Sequence, residues 1–282
     1  MMLTSHAPVH DPRTLLEALA LRAAHPEAMP LAGGTDVMVF LEGGAIAPTA
    51  FLNLWGLAEL HGITESATHL RIGALTTWTS LERDARVLHH APALVEAALT
   101  VGAKQIQNRG TLGGNIANAS PAGDSLPVLL ALDAEVEAAS VRGTRRIPLD
   151  ALYLGYRKLA LAPDELITAV YLPHRHPADH QHYRKVGTRL AQAISKVMLG
   201  ARVRIEGGVV TEARIAYGSV AATPVRARSV EAALVGKPVD PAAADAVVHD
   251  IHPIDDIRST AEYRITVAGP ILRTWLASLP TT

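Results

Sequence analysis

Gly110-Thr111-Leu112-Gly113-Gly114-Asn115-Ile116-Ala117-Asn118-Ala119-Ser120-Pro121-Ala122-Gly123-Asp124 is the stretch on which the reading of this chain turns. It sets Gly113 and Gly114 among short hydrogen-bonding side chains: Thr111, Asn115, Asn118, Ser120 and Asp124, with Ser125 just beyond. Adjacent glycines leave backbone N–H groups uncovered and permit positive φ. Polar groups placed beside apolar ones need partners. From the residues alone, two readings stay open. The segment wraps a polar ligand, or it satisfies itself through Asx and Ser/Thr turns. Its composition predicts loop structure over Gln107 to Asp124.

A second glycine pair lies nearer the N-terminus, in Ala32-Gly33-Gly34-Thr35-Asp36, between short apolar segments. Successive N–H groups in such a turn form an anion-binding nest, and Thr35 adds a hydroxyl donor. A pyrophosphate suits that chemistry, although a Gly-Gly turn needs no ligand. Neither segment is a G-x-G-x-x-G fingerprint, and Gly236-Lys237 is followed by Pro238 rather than Ser or Thr, so there is no P-loop.

Around these motifs the periodicities give the elements. Asp11-Pro12 is a candidate cap for an amphipathic helix over Arg13 to Ala24. Ala50–Leu54 and Leu70–Leu75 read as strands, and Ser80–Leu88 and Pro92–Val101 as helices. Glu135–Ala139 and Glu165–Leu172 read as further strands. Arg202 to Glu206 alternates with period two, Gly207-Gly208 turns the chain, and Val209 to Val220 returns. Arg226–Leu234, Pro241–Asp250 and Ala261–Leu276 read as helices covering that sheet. The polar stretch His174 to His182 is the candidate domain boundary.

Composition narrows the classes. Lys plus Arg (26) nearly balances Asp plus Glu (27), which speaks against a nucleic-acid binder. With no cysteine, this chain holds no disulfide, thiolate zinc site or iron–sulfur cluster. Met1 to Pro12 lacks the pattern of a secretory leader and no apolar run is long enough to span a bilayer, so a cytoplasmic protein is expected. His174, His176, His180 and His182 read as a solvated linker rather than a metal site, and His89-His90 as the end of a helix. Arg142, Arg145 and Arg146 read as a solvated basic turn.

Taken together, the two glycine motifs resemble those of the FAD-binding medium subunit of molybdenum hydroxylases, the xanthine dehydrogenase and carbon monoxide dehydrogenase medium-chain family. The likeness extends to Gly155-Tyr156-Arg157-Lys158, to Tyr183-Arg184-Lys185-Val186 with Ala193-Ile194-Ser195-Lys196-Val197, and to Ala261-Glu262-Tyr263-Arg264. It implies an α+β protein: the FAD-binding fold shared with the vanillyl-alcohol oxidase group, in two α/β subdomains over about 1–55 and 56–176. A C-terminal α+β domain with an antiparallel sheet over 177–282 would follow.

The resemblance further implies that Ala32, Gly33, Gly34, Thr35 and Asp36 line the FAD pyrophosphate. Thr111, Gly113, Gly114, Asn115, Asn118 and Asp124 would line the remaining cofactor groups. Val101, where the animal xanthine enzymes carry a large aromatic, and Ile167 and Lys185 fall at isoalloxazine or adenine contacts. No catalytic dyad and no metal ligand is assigned. The implied partners are a large molybdenum-cofactor subunit and a small [2Fe–2S] subunit, in a dimer of heterotrimers that passes electrons to an external acceptor. The alternatives are a stand-alone flavin oxidoreductase of the same fold and a non-redox nucleotide-binding assembly module.

Overall fold

The computed structural model describes residues 7–189 and 192–280; the first six residues of the Met1 to Pro12 stretch lie outside them. The chain opens with β1 (Val9–His10), α1 (Leu15–Ala24), β2 (Met29–Leu31), α2 (Val37–Glu42) and β3 (Phe51–Asn53). These strands form a small parallel sheet in the order β1-β3-β2. The cap of α1 is Thr14, whose hydroxyl accepts from Glu17 N at 3.2 Å. It is not Asp11, whose carboxylate accepts from Asn53 Nδ2 instead.

β4 (Ile63–Glu65) and β5 (His69–Gly73) follow as a hairpin. Six helices come next: α3 (Trp78–Arg83), α4 (Ala85–His90), α5 (Pro92–Thr100), α6 (Lys104–Gln107), α7 (Leu112–Asn118) and α8 (Leu126–Ala131). The single helix expected over Ser80–Leu88 is two. Asp84 interrupts it, and its carboxylate accepts from Arg86 N (2.9 Å) and Val87 N (3.4 Å), capping α4.

The chain continues through β6 (Glu135–Ser140), β7 (Gly143–Pro148), α9 (Leu149–Leu152), the small hairpin β8 (Tyr153–Gly155) and β9 (Lys158–Leu159), and β10 (Leu166–Pro173). A five-stranded antiparallel sheet results, in the order β4-β5-β10-β6-β7. β10 lies at its centre, and residues 166 to 170 are all buried. That is why this strand reads as a continuous apolar run rather than an alternating one.

β11 (Asp179–Val186), β12 (Val197–Glu206), β13 (Val209–Gly218) and β14 (Val225–Arg226) form the last antiparallel sheet. The Gly207-Gly208 turn has positive φ at both residues (58° and 77°), as a tight hairpin requires. The polar stretch expected over His174–His182 is shorter than its composition suggests. From Asp179 the chain is already paired with β12, and Asp179 accepts from Arg204 Nε at 2.8 Å. α10 (Arg228–Leu234), a helix of the 3₁₀ type at Pro241–His249 and α11 (Ala261–Leu276) pack against this sheet.

Aliphatic side chains fill the cores, as the 4% aromatic content requires. Trp78 and Tyr217 are the aromatic members among the largest fully buried side chains. The main core is not confined to the first part of the chain. Tyr183, Met198 and Ala216 pack into it beside α8. At Gly200 on β12 an added Cβ would lie 2.5 Å from the carbonyl of Pro127, so backbone meets backbone there. A polar clamp reinforces the contact. Asp133, in the left-handed region at φ 51°, receives Arg202 at 2.6 Å, Arg214 at 3.0 Å and Arg226 at 3.4 Å. Among the described residues no helix is long and apolar enough to cross a membrane.

Candidate functional site

The turn at residues 32–36 joins β2 to α2. Gly34 sits at φ 77°, where a side chain would be strained. At Gly33 an added Cβ would lie 1.8 Å from the carbonyl oxygen of Arg109, so the two glycine motifs touch through their backbones. The backbone N–H groups of Gly33, Gly34, Thr35 and Asp36 make no hydrogen bond within the described residues. Four consecutive donors without a protein acceptor form an anion nest. The apolar run Val37–Leu41 is helix α2, and none of its residues is buried.

The expected loop over Gln107–Asp124 is half helix. Helix propensity disfavours Gly113, Gly114, Asn115 and Asn118, but tertiary contacts override it. Thr111 caps α7, its hydroxyl accepting from Gly114 N at 3.1 Å. Leu112 N donates to Thr76 O (3.0 Å) and Gly113 N to Ala74 O (2.8 Å). These bonds already use the first N–H groups of the helix. Gly113 is needed for approach: its Cβ would lie 2.7 Å from that of Ala74. Ala119, in the left-handed region at φ 48°, ends the helix.

The structure brings the predicted residues into two clusters. In the first, Ala32, Gly113, Gly114 and Ile167 line an apolar cavity of about 350 Å³, with Leu159 and Leu161 on its far wall. Beside it, Asn118 Nδ2 donates to Asp36 at 2.7 Å, and Asn118 Oδ1 accepts from Arg157 Nη1 at 2.8 Å. Burial raises the Asp36 carboxyl above its ordinary value, and Arg157 pulls it back in part. Arg157 is itself left-handed at φ 53°, at the tip of the β8–β9 hairpin, 5.1 Å from the centre of the Phe40 ring. Thr35 lies on the turn, and Asn115 Oδ1 accepts from Ser125 Oγ at 2.7 Å.

The second cluster is a buried ion pair. Lys185 Nζ on β11 lies 2.8 Å from Asp124 Oδ1, with side chains only 9% and 12% exposed. Lys185 also donates to Thr100 O at 3.2 Å, and the Tyr183 hydroxyl donates to Asp124 at 3.3 Å. Burial raises the Asp124 carboxyl above its ordinary value, an effect that attraction to Lys185 offsets only in part. Tyr183 is pushed well above the usual phenol value by burial and then by Asp124. Val101, next to Thr100, is buried in the main core. Sequence reasoning did not count Arg157, Tyr183, Thr100 and Ser125 among the cofactor contacts, although Ser125 was read as part of the polar motif. Arg157 stands in a segment singled out by the resemblance. Tyr183 does too, but only the fold puts it on Asp124.

The linker histidines do not gather. His182 stacks on Trp275, with ring centroids 5.4 Å apart, and His174 stacks on His90 at 4.2 Å.

The site's chemistry fits an extended dinucleotide. A nest of free N–H donors suits a diphosphate. An apolar slot lined by glycines suits a flat heteroaromatic ring.

Comparison with known proteins agrees with this chemistry. Residues 4–175 match the model of the FAD binding domain in molybdopterin dehydrogenase, and residues 181–279 that of the CO dehydrogenase flavoprotein C-terminal domain. The chain is 35% identical over 267 residues to the xanthine dehydrogenase FAD-binding subunit of Escherichia coli, covering 92% of this chain and 91% of that one. It is 32% identical to the carbon monoxide dehydrogenase medium chain of Afipia carboxidovorans, covering 94% and 93%. Its fold matches a solved carbon monoxide dehydrogenase chain from Hydrogenophaga pseudoflava with a TM-score of 0.92, at 30% identity and 95% coverage of both chains.

Proposed function

Because this chain belongs to the family of FAD-binding medium subunits of molybdenum hydroxylases, an oxidoreductase family, we propose that it is the electron-transfer subunit of such a complex. In this reading it receives electrons from the [2Fe–2S] clusters of a small partner subunit and delivers them to an external acceptor. The molybdenum cofactor belongs to a large partner subunit, and two heterotrimers pair. The observation that carries the reading is the run of free N–H groups at residues 33–36, next to Ala32, which lines one apolar cavity with Gly113 and Gly114 of α7.

Each part of the chain has a task in this assignment. Gly33, Gly34, Thr35 and Asp36 present N–H groups to the diphosphate. Arg157 offsets the Asp36 carboxylate, which would otherwise repel that diphosphate. Ala32, Gly113, Gly114 and Ile167 line the slot that would enclose the adenine. Thr111 and Asn115 shape α7 and its flank, and Asn118 ties the turn to the hairpin. Lys185, held by Asp124 and Thr100, places a cation at the other end of the site, beside Val101. Bound FAD supplies the capacity to exchange both one and two electrons. The protein orients it and sets the charge around it, so no general base is required.

The test is the visible spectrum of the purified full-length chain, with the mass of any released cofactor. Flavin bands and the mass of FAD support the reading. A different nucleotide with no colour overturns it in favour of a non-redox module. Bleaching of the isolated chain's flavin by a small organic substrate would favour a stand-alone oxidoreductase.

A further inference from the structure

Glu65, His90 and His174 meet at a junction away from the cofactor groove. Glu65 ends β4, His90 ends α4, and His174 directly follows β10. Their ligand atoms all lie within 4.8 Å of one another. His90 is 9% exposed, and its Nε2 is 3.0 Å from Glu65 Oε1. His174 Nε2 is 3.5 Å from the same oxygen, beyond a sound hydrogen bond. It is buried and has no hydrogen-bond partner among the described residues. A buried ring nitrogen without a partner is costly and calls for a ligand.

We propose that these three side chains form a site for a borderline divalent cation of the Zn²⁺ class. Two imidazole nitrogens and one carboxylate oxygen are a donor set that zinc favours, with a water in the fourth position. Glu65 is 38% exposed and His174 25%, so an ion can enter from solvent.

Two adjustments accompany binding. The rings are stacked with an interplanar angle of 14°, so their lone pairs run side by side rather than converge. Tetrahedral zinc needs donor atoms about 3.3 Å apart. His174 makes the required swing, leaving its stacking contact with His90 and its approach to the Glu65 carboxylate. His90 must also move its ring proton from Nε2 to Nδ1, an exchange of tautomer with no net loss of a proton. That nitrogen now accepts from Arg175 N at a long 3.2 Å, so residue 175 moves back. The ion therefore pulls on the start of the 174–178 connection and fastens it to β4 and α4.

The experiment uses the full-length chain, stripped with chelator and titrated with ZnCl₂ against a chromophoric competitor, with Co²⁺ absorption reporting coordination. One zinc per chain is expected, weakened at least about tenfold by His174→Gln and by Glu65→Gln. His25→Gln, which removes part of the exposed His10–His25 stack, should change nothing. Flavin content should be equal in all four proteins, which separates this site from the cofactor assignment. Failure of the wild-type chain to bind stoichiometric zinc overturns the proposal. So does equal affinity in the His174 and Glu65 variants, which would mark adventitious histidines.

Discussion

Replacing Lys185 with Met keeps the length and most of the volume of a side chain that is 9% exposed, but removes its charge. Asp124, 12% exposed, is left with the Tyr183 hydroxyl as its side-chain donor. Breaking one half of a buried pair costs about 3–5 kcal/mol, because the remaining charge stays buried. The cost depends on pH in a definite direction. Asp124 is already raised by burial in the native chain, and Lys185 is the largest influence lowering it. Without Lys185 its folded value rises further. A carboxyl raised on folding stabilises below its unfolded value near 3.9 and loses that contribution as pH rises through the folded value. The variant loses it over a window extending to higher pH. Its deficit relative to wild type therefore grows with pH, by at most about 1.4 kcal/mol per unit.

Urea unfolding of the flavin-free protein at pH 5, 6, 7 and 8, followed by far-UV circular dichroism, measures this. We expect about 1 kcal/mol at pH 5, growing to about 3–5 kcal/mol at pH 8. The double variant Asp124→Asn, Lys185→Met should recover most of the loss, since neither charge remains. A deficit below about 1 kcal/mol that is flat across this range, as exposed pairs give, would refute the reasoning.

Gly33→Ala should part the two glycine motifs, because no rotamer removes a Cβ lying 1.8 Å from a backbone oxygen. We expect a loss of about 1–3 kcal/mol or more and a collapse of flavin content, read from the absorbance of the purified protein. Asp133→Asn keeps a residue tolerant of the left-handed region but removes the charge shared by Arg202, Arg214 and Arg226. Glu212 and Glu231 still serve those arginines, so a denaturation midpoint shift worth about 2 kcal/mol is expected, short of a full buried-pair loss. Tyr217→Phe deletes the buried hydroxyl that donates to Ala268 O at 2.8 Å and should cost about 1 kcal/mol in the same assay.

What could be read in advance follows from how local the causes are. The β12–β13 hairpin was legible because alternation and a Gly-Gly turn act within a few residues. Helix α11 was legible in spite of Pro270, since apolar spacing persists across it. Helix α7 was not, because the Thr76 and Ala74 carbonyls that hold it lie more than thirty residues away in the chain. Motif chemistry and family likeness named Asp124 and Lys185 separately. Their pairing across 61 positions appears only when β11 is laid beside α5. Glu65, His90 and His174 are likewise brought together by three different parts of the fold, and nothing within the His174–His182 stretch points to Glu65 or His90.

The contact between Gly200 and Pro127 bears on whether the two parts of this chain can be separated. Pro121 O accepts from Ser219 N at 2.9 Å, so the segment leading to Asp124 is pinned at one end by β13's exit and at the other by β12's backbone. A chain cut near residue 176 would keep both glycine motifs and lose Lys185, Met198, Gly200 and Ser219 together. Its exposed α8, apolar along its whole length, would face water. Such a fragment would hold the sequence signature of the cofactor site without the wall that fixes one end of it. The C-terminal sheet is in this sense the jig against which the proposed cofactor site is set.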